Sequence, residues 1–582
     1  MILTPAFLLD AKTPHSGRFS FGRLIAGIGL VLVLLGWVLP NHYPPWASFH
    51  LEAASFAGTL LLAFAMLLGP LAPLQLPRTA ALMLLLMAVP WLQWSAGLLS
   101  FAGDAWAVTA YLGAAICAWG TGYISERQAA RPSAAGALLG VISAAALISS
   151  GVALLQWLGW DAQGILVMTL TPDNRPFGNL AQPNHLGTLI VMGLVGLLFA
   201  HERGKVPTLL LVAAAGIMVV GLCASQSRAA VVSWMVVGCW WLARASDAGF
   251  KLKRRQLIGF SIVLVGGFLG WGSLSEAVLL APVRAMVGTS NNGRFEIWGQ
   301  LLHALLTGPV WGYGWLQTAA AQSSVAISMP ITEGFTTSYS HNLLLDMLIW
   351  NGLPLGALII VTAAWLSWRS LREIRSRDAV LFVAAAIPVA VHSMFEFPFA
   401  YAYFLLPTAL LIGASAAHLP AVLLATVPRV AGAAFVVGTA LVSGAVGIEY
   451  LRMEEDFRVV RFESMRLGST EAGFQASSAV FNSQLGAMLS MGLQRARPGM
   501  PEADLVRWGQ VVRKYPWPAL LFKYVTALAM NGRPVEARQV MLLVKALHGA
   551  RVHEQFRRDL VRLKETDYPQ LIVPGAQGPE RS

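Results

Sequence analysis

Apolar residues in this chain gather into runs about as long as a bilayer is thick, and polar residues fall between them. Runs lie near 22–40, 56–74, 79–98, 105–123, 137–158, 184–201, 206–224, 227–244, 256–275, 341–366, 378–396, 400–417 and 430–447. Crossing the hydrocarbon core as a helix takes about twenty apolar residues. The pattern therefore predicts an all-α polytopic membrane protein with about 13 transmembrane helices. The first run follows Arg18 and Arg23, lacks a small-residue cleavage site and is followed by further spans, so it reads as an anchor, not a removable signal. The stretch from about 276 to 340 is too long for a simple connector.

Beyond the last run the pattern changes. Residues 515–548 read as two amphipathic helices joined at Asn531-Gly532, with Pro534 at a helix start. This is similar to one tetratricopeptide-like hairpin, which cannot bury its own apolar face and must pack on neighbours such as 503–513 or on the membrane domain. The alternative is a small helical domain without a peptide groove. Gly575 to Ser582 read as a frayed tail. The expected organisation is an N-terminal segment 1–21, a membrane domain 22–447 with its long loop at about 276–340, and a helical domain 448–582.

With 56 % hydrophobic and 12 % charged residues over 582 positions, a soluble globular fold is excluded. Cys117, Cys223 and Cys239 sit inside apolar runs as small buried hydrophobes, with no disulfide framework. The net charge of +12 is spread over short connections and the C-terminal region, so it sets orientation and does not mark a nucleic-acid partner. With the N-terminus cytoplasmic, eighteen Lys and Arg, among them Lys12, Arg78, Arg131, Arg254 and Arg375, face the cytoplasm. Only Arg175, Arg228, Arg284 and Arg294 face the other side. That asymmetry fits the positive-inside rule. An odd number of spans places the C-terminal domain outside as well, which for the inner membrane of a Gram-negative cell is the periplasm.

A chain that keeps its outer side poor in cations, yet retains arginines at helix edges, is building a site for an anion. Arg294 follows the turn Asn291-Asn292-Gly293 and opens a stretch with Phe295, Trp298, Leu302 and Leu305 at helical spacing, which suits a helix at the membrane surface. Arg228 follows Ser225-Gln226-Ser227 in a tight turn between two spans. The serines suit a cap, and a helix N-terminus bearing an arginine suits phosphate. The alternative is that Arg228 snorkels to the interface. Ser340-His341-Asn342 opens another apolar helix, where an imidazole titrating near neutrality can activate a hydroxyl or merely cap the helix. Asp346 lies about 140° round the helix from His341, so no triad follows, whereas Asn342 and Asp346 share a face and can hydrogen-bond within the bundle. Arg175 to His185, with Asn179, Gln182 and Asn184, is either a sugar or phosphate pocket or a rigid loop. His392 and Glu396 lie one turn apart before Tyr401; Glu396 is a functional carboxylate or the partner of Arg228 or Arg294. No carboxylate cluster suits a metal, so neither metal nor cofactor is expected.

Four strings carry a resemblance: GNLAQPNHLGT at 178–188, GR at 293–294 before EIW, SHNLLLDMLIWNG at 340–352 and HSMFEFPFAYAYFLLP at 392–407. They resemble bacterial protein O-oligosaccharyltransferases of the PglL type, in the superfamily of O-antigen ligases and polymerases. HYPPWASFHLEA at 42–53 and PWLQWSAGLLSFAGDAW at 90–106 are similar to that family's amino-terminal region. The resemblance covers residues from about 40 to 450. It implies transfer of a preassembled glycan from a polyprenyl pyrophosphate, such as undecaprenyl pyrophosphate, to Ser or Thr of periplasmic proteins, often pilins. It also implies that His341 is the histidine of the SHN motif, that Arg228 and Arg294 hold the pyrophosphate, and that Gln182 and Tyr401 bind substrate. Two rival readings stand beside it: an O-antigen ligase or polymerase with a sugar hydroxyl as acceptor, and a transporter of lipid-linked glycan.

Overall fold

The computed structural model describes residues 17–573 except 70–72, 129–132, 161–163, 172–173, 280–292, 332–334, 421–423, 465–473, 475–476 and 570. Lys12, Arg131, Arg284, the Asn291-Asn292 pair and the tail Gly575 to Ser582 lie outside the described residues. Every apolar run contains a helix. The first seven form α1 (Gly17–Val38), α2 (Phe49–Leu67), α3 (Ala80–Ser95), α4 (Ala102–Arg127), α5 (Ala134–Trp157), α6 (Pro183–Glu202) and α7 (Thr208–Ser225). The next two form α8 (Arg228–Ala248) and the pair α9 (Arg254–Leu269) and α10 (Trp271–Leu279), bent by 59°. The long loop contributes α11 (Arg294–Thr307) and α12 (Thr318–Val325). The remaining runs form α13 (Leu343–Glu373), α14 (Arg377–His392), α15 (Ala402–Ala416) and α16 (Arg429–Ser464). Among the described residues, eight helices are long and apolar enough to cross a membrane, or nine if the bent pair is one span. The chain is thus a mostly helical polytopic membrane protein. A short antiparallel ribbon, β1 (Leu74–Pro77) against β2 (Leu424–Val427), joins two connections, with Leu74 opposite Val427.

Small residues let these helices approach closely, as expected where packing rather than hydrophobic burial drives association. A Cβ on Gly122 of α4 would lie 2.0 Å from Leu410 O of α15, and one on Gly413 would lie 2.0 Å from Trp119 O. α5 meets α6 in the same way, with a Cβ on Gly196 2.4 Å from Leu139 O. α6 is the central post: 78 % of its span is buried, against 28 % for α1 and 17 % for α16.

The run 341–366 is not one straight helix. Gly352 sits at φ 70°, ψ 170° and breaks α13, because a Cβ there would fall 1.9 Å from Val310 O. The carbonyls of Ile349 and Trp350 accept from the N–H groups of Tyr313 (2.9 Å) and Gly314 (3.1 Å), so the break leaves them paired. On α11 the buried face is Ile297, Gln300, Leu301 and Ala304, while Phe295 (62 % exposed) and Leu302 (48 %) point away. The expected stripe is thus split: Phe295 and Leu302 face outward, whereas Trp298 and Leu305 are half-buried against the Ile297, Leu301 and Ala304 face. Cys117 and Cys223 are buried, but Cys239 is exposed on α8, which corrects the expectation of three buried thiols.

The C-terminal helices are α17 (Ser483–Leu493), α18 (Glu502–Lys514), α19 (Pro518–Met530) and α20 (Pro534–Thr566), the last broken at Gly549 with φ 81°. α18 packs on α19 and α19 on α20, with Gly532 at φ 73° in the turn between them. Their core is continuous with Phe49, Phe101 and Tyr450 of the membrane domain, and α16 runs unbroken past residue 447 towards it.

Gly122→Val should cost about 1–3 kcal/mol by forcing α4 and α15 apart. Gly120→Ala, whose Cβ would meet nothing within 4 Å, is the control. Thermal melting in detergent checks this, with only the first variant expected to melt lower.

Candidate functional site

The site begins where α6 begins. Gln182 is its N-cap: Oε1 accepts the His185 N–H at 2.8 Å, and Pro183 takes the first helical position, where its missing N–H costs nothing. Asn179, three residues earlier, is buried. Its Nδ2 donates to Val38 O and Leu166 O at 2.8 Å each, and its Oδ1 accepts from Met168 N at 3.1 Å. Gln156 of α5 accepts from the N–H groups of Phe177 (3.0 Å) and Gly178 (2.9 Å). The loop is therefore rigid, and Asn179 serves it from within. His185 is likewise interior, with Nδ1 3.1 Å from Tyr403 Oη and its ring 4.6 Å from that of Tyr401.

Gln182 and Asn184 converge on one carboxylate. Glu396, in the connection after α14, accepts from Gln182 Nε2 at 2.5 Å, Asn184 Nδ2 at 2.9 Å and Arg294 Nη2 at 2.9 Å. Of the two partners open from sequence, the structure pairs it with Arg294. His392, one turn earlier, bonds Thr188 Oγ1 through Nδ1 at 2.9 Å and sets Nε2 3.8 Å from Glu396 Oε2. Burial opposes ionisation of Glu396, but its polar neighbours, His392 first and Arg294 among them, outweigh that and hold its carboxyl down at about 2.

The His341 turn is stitched to the same corner. Asn342 caps α13, accepting from Leu344 N (3.0 Å) and Leu345 N (3.1 Å), and donates to Met394 O at 3.2 Å; Leu343 N donates to Ser393 O at 2.8 Å. Asn342 and Asp346 do not bond each other through their side chains: the Asp346 carboxylate accepts from Ser340 N and Thr318 Oγ1 instead. His341 has a left-handed backbone, φ 61°, and its ring stands edge-on to Phe397 at 5.0 Å. Its Nδ1 is buried with no hydrogen-bond partner among the described residues. Burial lowers its pKa below the ordinary 6.5, with Glu396 raising it and Arg294 lowering it further. The imidazole is therefore neutral at pH 7 and able to accept a proton.

Arg228 is the first residue of α8, which Ser227 caps by accepting from Ala230 N at 3.3 Å after Gln226 turns left-handed at φ 49°. The side chain is exposed and makes no hydrogen bond or ion pair with a described residue. Arg175 Nη1 donates to Gln226 O at 2.8 Å. Arg175 is held below its ordinary pKa by burial; Glu396 opposes that shift and the nearby charge of Arg228 adds to it. Arg175, Arg228, Arg294, Glu396 and His341 thus share one electrostatic neighbourhood, walled by Phe397 and Tyr401, whose rings stack at 5.9 Å. An apolar groove of about 650 Å³ between α2, α4 and α16 has no arginine in its lining among the described residues.

Sequence reasoning missed Thr188, Gln156 and Glu52. Glu52, buried in α2, accepts from Trp46 Nε1 (2.8 Å), Ser48 Oγ (2.5 Å), Tyr111 Oη and Ala402 N (2.9 Å), pinning the start of α15 beside Tyr401. A carboxylate just before the apolar run at 56–74 was the available signal.

Residues 213–360 match the family described as O-antigen ligase, residues 176–200 that described as protein glycosylation ligase, and residues 380–560 that described as virulence factor membrane-bound polymerase, C-terminal. The chain is 30 % identical over 539 residues to the general O-oligosaccharyltransferase of Acinetobacter baylyi, covering 89 % of this chain and 91 % of that protein. It is also 30 % identical over 263 residues to the ComP-specific O-oligosaccharyltransferase of the same organism, covering 43 % and 46 %. No solved structure matches.

Because its folded pKa lies below the ordinary 4.5, ionised Glu396 contributes stability above about pH 4.5 that is lost as pH falls towards 2. Glu396→Gln should melt lower than the parent at pH 7, and the gap should narrow over that acid window. Melting curves of both proteins from pH 3 to 7 check it.

Proposed function

This chain belongs to the PglL-type protein O-oligosaccharyltransferases, which are membrane glycosyltransferases, and from that premise we propose how it works. The donor is a preassembled oligosaccharide on undecaprenyl pyrophosphate, and the acceptor is a Ser or Thr hydroxyl of a periplasmic, pilin-like protein. The observation that supports this reading is the Arg294–Glu396 ion pair, 2.9 Å, in the connection that the His341 turn is bonded to through Ser393 and Met394. Arg228 and Arg294 take the pyrophosphate oxygens. Fixed donors aimed at a leaving group's developing charge are the main catalytic device when that group is already a good one. His341 accepts the hydroxyl proton as the acceptor oxygen attacks the anomeric carbon. As that bond forms, the bond to the pyrophosphate breaks with inversion, and the leaving group departs with the electron pair. Gln182, Asn184, Asn342, Glu396 and Tyr401 shape the donor pocket, while Asn179 and His185 support it from behind. Guanidinium groups answer the charge that a metal would otherwise meet, so the mechanism is metal-independent.

Topology follows the same reading. α3, α8, α14 and α15 complete thirteen spans in the inner membrane, placing the arginines, the long loop and a tetratricopeptide-like C-terminal domain in the periplasm. The match of 213–360 to O-antigen ligases favours a second reading in which the acceptor is a sugar hydroxyl.

The test is transfer in proteoliposomes carrying a polyprenyl-pyrophosphate oligosaccharide, followed by intact mass of an added pilin or of lipid A-core. Glycan on pilin supports the protein acceptor, and glycan only on lipid A-core the rival. Arg228→Ala and Arg294→Ala should each lower the rate about 10²–10³-fold, and His341→Ala about 10²–10⁴-fold. Wild-type rates in all three would refute the site. Because the working His341 is neutral and its pKa lies below 6.5, the acid limb of kcat/KM should have its midpoint below pH 6.5. A midpoint above 6.5 would argue instead for a protonated His341 holding phosphate.

A further inference from the structure

The His341 turn is gripped from inside the membrane domain, by bonds that leave the imidazole untouched. Ser340 N–H donates to Asp346 Oδ1 at 2.9 Å, and the Thr318 hydroxyl donates to the same oxygen at 3.0 Å. Ser340 Oγ donates to Asn342 O at 2.7 Å, and Trp298 Nε1 donates to Ser340 O at 2.7 Å. Asp346 and Ser340 are wholly buried. His341 itself sits at φ 61°, a strained conformation for a residue with a Cβ, which persists only where its surroundings over-determine it. The bonds on Ser340 and Asn342 are that over-determination.

The grip extends outwards. Thr318 opens α12 and accepts from Trp350 Nε1 at 2.8 Å. Two residues before it, Leu316 is a second non-glycine in the left-handed region, φ 62°. Lys514, the last residue of α18, sets Nζ 2.7 Å from Asp104 Oδ1 and 3.4 Å from Leu316 O, and Gln317 Nε2 donates to Asp104 Oδ2 at 2.9 Å. The Lys514 and Asp104 side chains are 9 % and 2 % exposed. A buried ion pair is poor at adding net stability, because desolvation offsets attraction, but it specifies geometry.

We propose that Asp346 is a positioning residue for His341, acting through Ser340, and that the path from Thr318 and Leu316 to Asp104 and Lys514 makes the C-terminal helical domain part of that grip. The proposal rests on the reading in which His341 takes the acceptor proton. A ring whose backbone is fixed can face the acceptor hydroxyl without being tethered by its own nitrogens, which fits the unpartnered Nδ1.

The test uses the full chain in proteoliposomes with a polyprenyl-pyrophosphate oligosaccharide and a pilin acceptor, measuring kcat and donor KM separately. Asp346→Ala should lower kcat at least about tenfold while donor KM stays within about twofold, since misplacing a catalytic group costs rate rather than binding. Asp346→Asn, which keeps an oxygen for Ser340 N–H and the Thr318 hydroxyl, should restore most of kcat. Thr318→Val and Lys514→Met should lower kcat severalfold with KM unchanged. If Asp346→Ala does not fold, Thr318→Val, which removes one hydroxyl, decides. Wild-type kcat in Thr318→Val or in folded Asp346→Ala overturns the positioning role, and so does failure of Asp346→Asn to recover rate. Wild-type kcat in Lys514→Met overturns the part given to the C-terminal domain. A His341→Ala protein that transfers normally would sink the underlying reading instead, so the two failures are distinguishable.

Discussion

The carboxylate of Glu396 is the contact on which the rest of the site depends. It is mostly buried, and a buried carboxylate without donors is among the most expensive groups a protein can contain. Its donors come from the start of α6 and the start of α11, with His392 of α14 beside it. Satisfying one charge therefore fixes the register of three helices that are distant in sequence. The His341 turn inherits that register, because Leu343 and Asn342 bond Ser393 and Met394 just before the carboxylate.

The pairing also divides labour between the arginines. Arg294 is held in place by Glu396 before any substrate arrives, while Arg228 projects from a helix N-terminus with no ionic partner among the described residues. On the proposed reading, a pyrophosphate competes with Glu396 for a guanidinium already oriented, and Arg228 closes on it from α8. Preorganisation of the first donor removes the entropy of finding it, and the helix dipole assists the second. Too many unopposed cations would repel one another in such a site; at Arg175 burial is the main cause of the lowered pKa, and the charge of Arg228 adds to it. A single carboxylate moderates that repulsion.

Helix content was legible because membrane insertion imposes run length, and every apolar run contains a helix. Breaks were not legible, because their cause lies elsewhere in the chain. α13 breaks at Gly352, where Val310 O occupies the place a Cβ would take, and the freed carbonyls find the N–H groups of Tyr313 and Gly314, each 36 residues earlier in sequence. Within the site, cap chemistry at Ser227, Gln182 and Asn342 was readable from residue type, since caps are local. Burial was not: Asn179 and His185 share the polar string with Gln182 and Asn184, yet they face the interior. A string of hydrogen-bonding residues does not say which members face a ligand and which hold the loop.

The position of the cluster relative to lipid follows from the apolar residues around it. α11 carries Arg294 at its first turn and leaves Phe295, Leu302 and Leu306 exposed, with Val310 and Trp311 exposed just beyond. Apolar side chains of that size facing outward beside a guanidinium belong at the boundary between hydrocarbon and headgroups. On the proposed reading, a donor with a polyprenyl tail keeps that tail in the bilayer while its pyrophosphate meets Arg294 at the depth where phosphates normally lie. The acceptor hydroxyl has no such anchor and must be brought in from the aqueous side. On the proposed reading, the donor groups are fixed through the membrane helices by the Glu396 contacts and the base through the Asp346 contacts that reach the C-terminal helices.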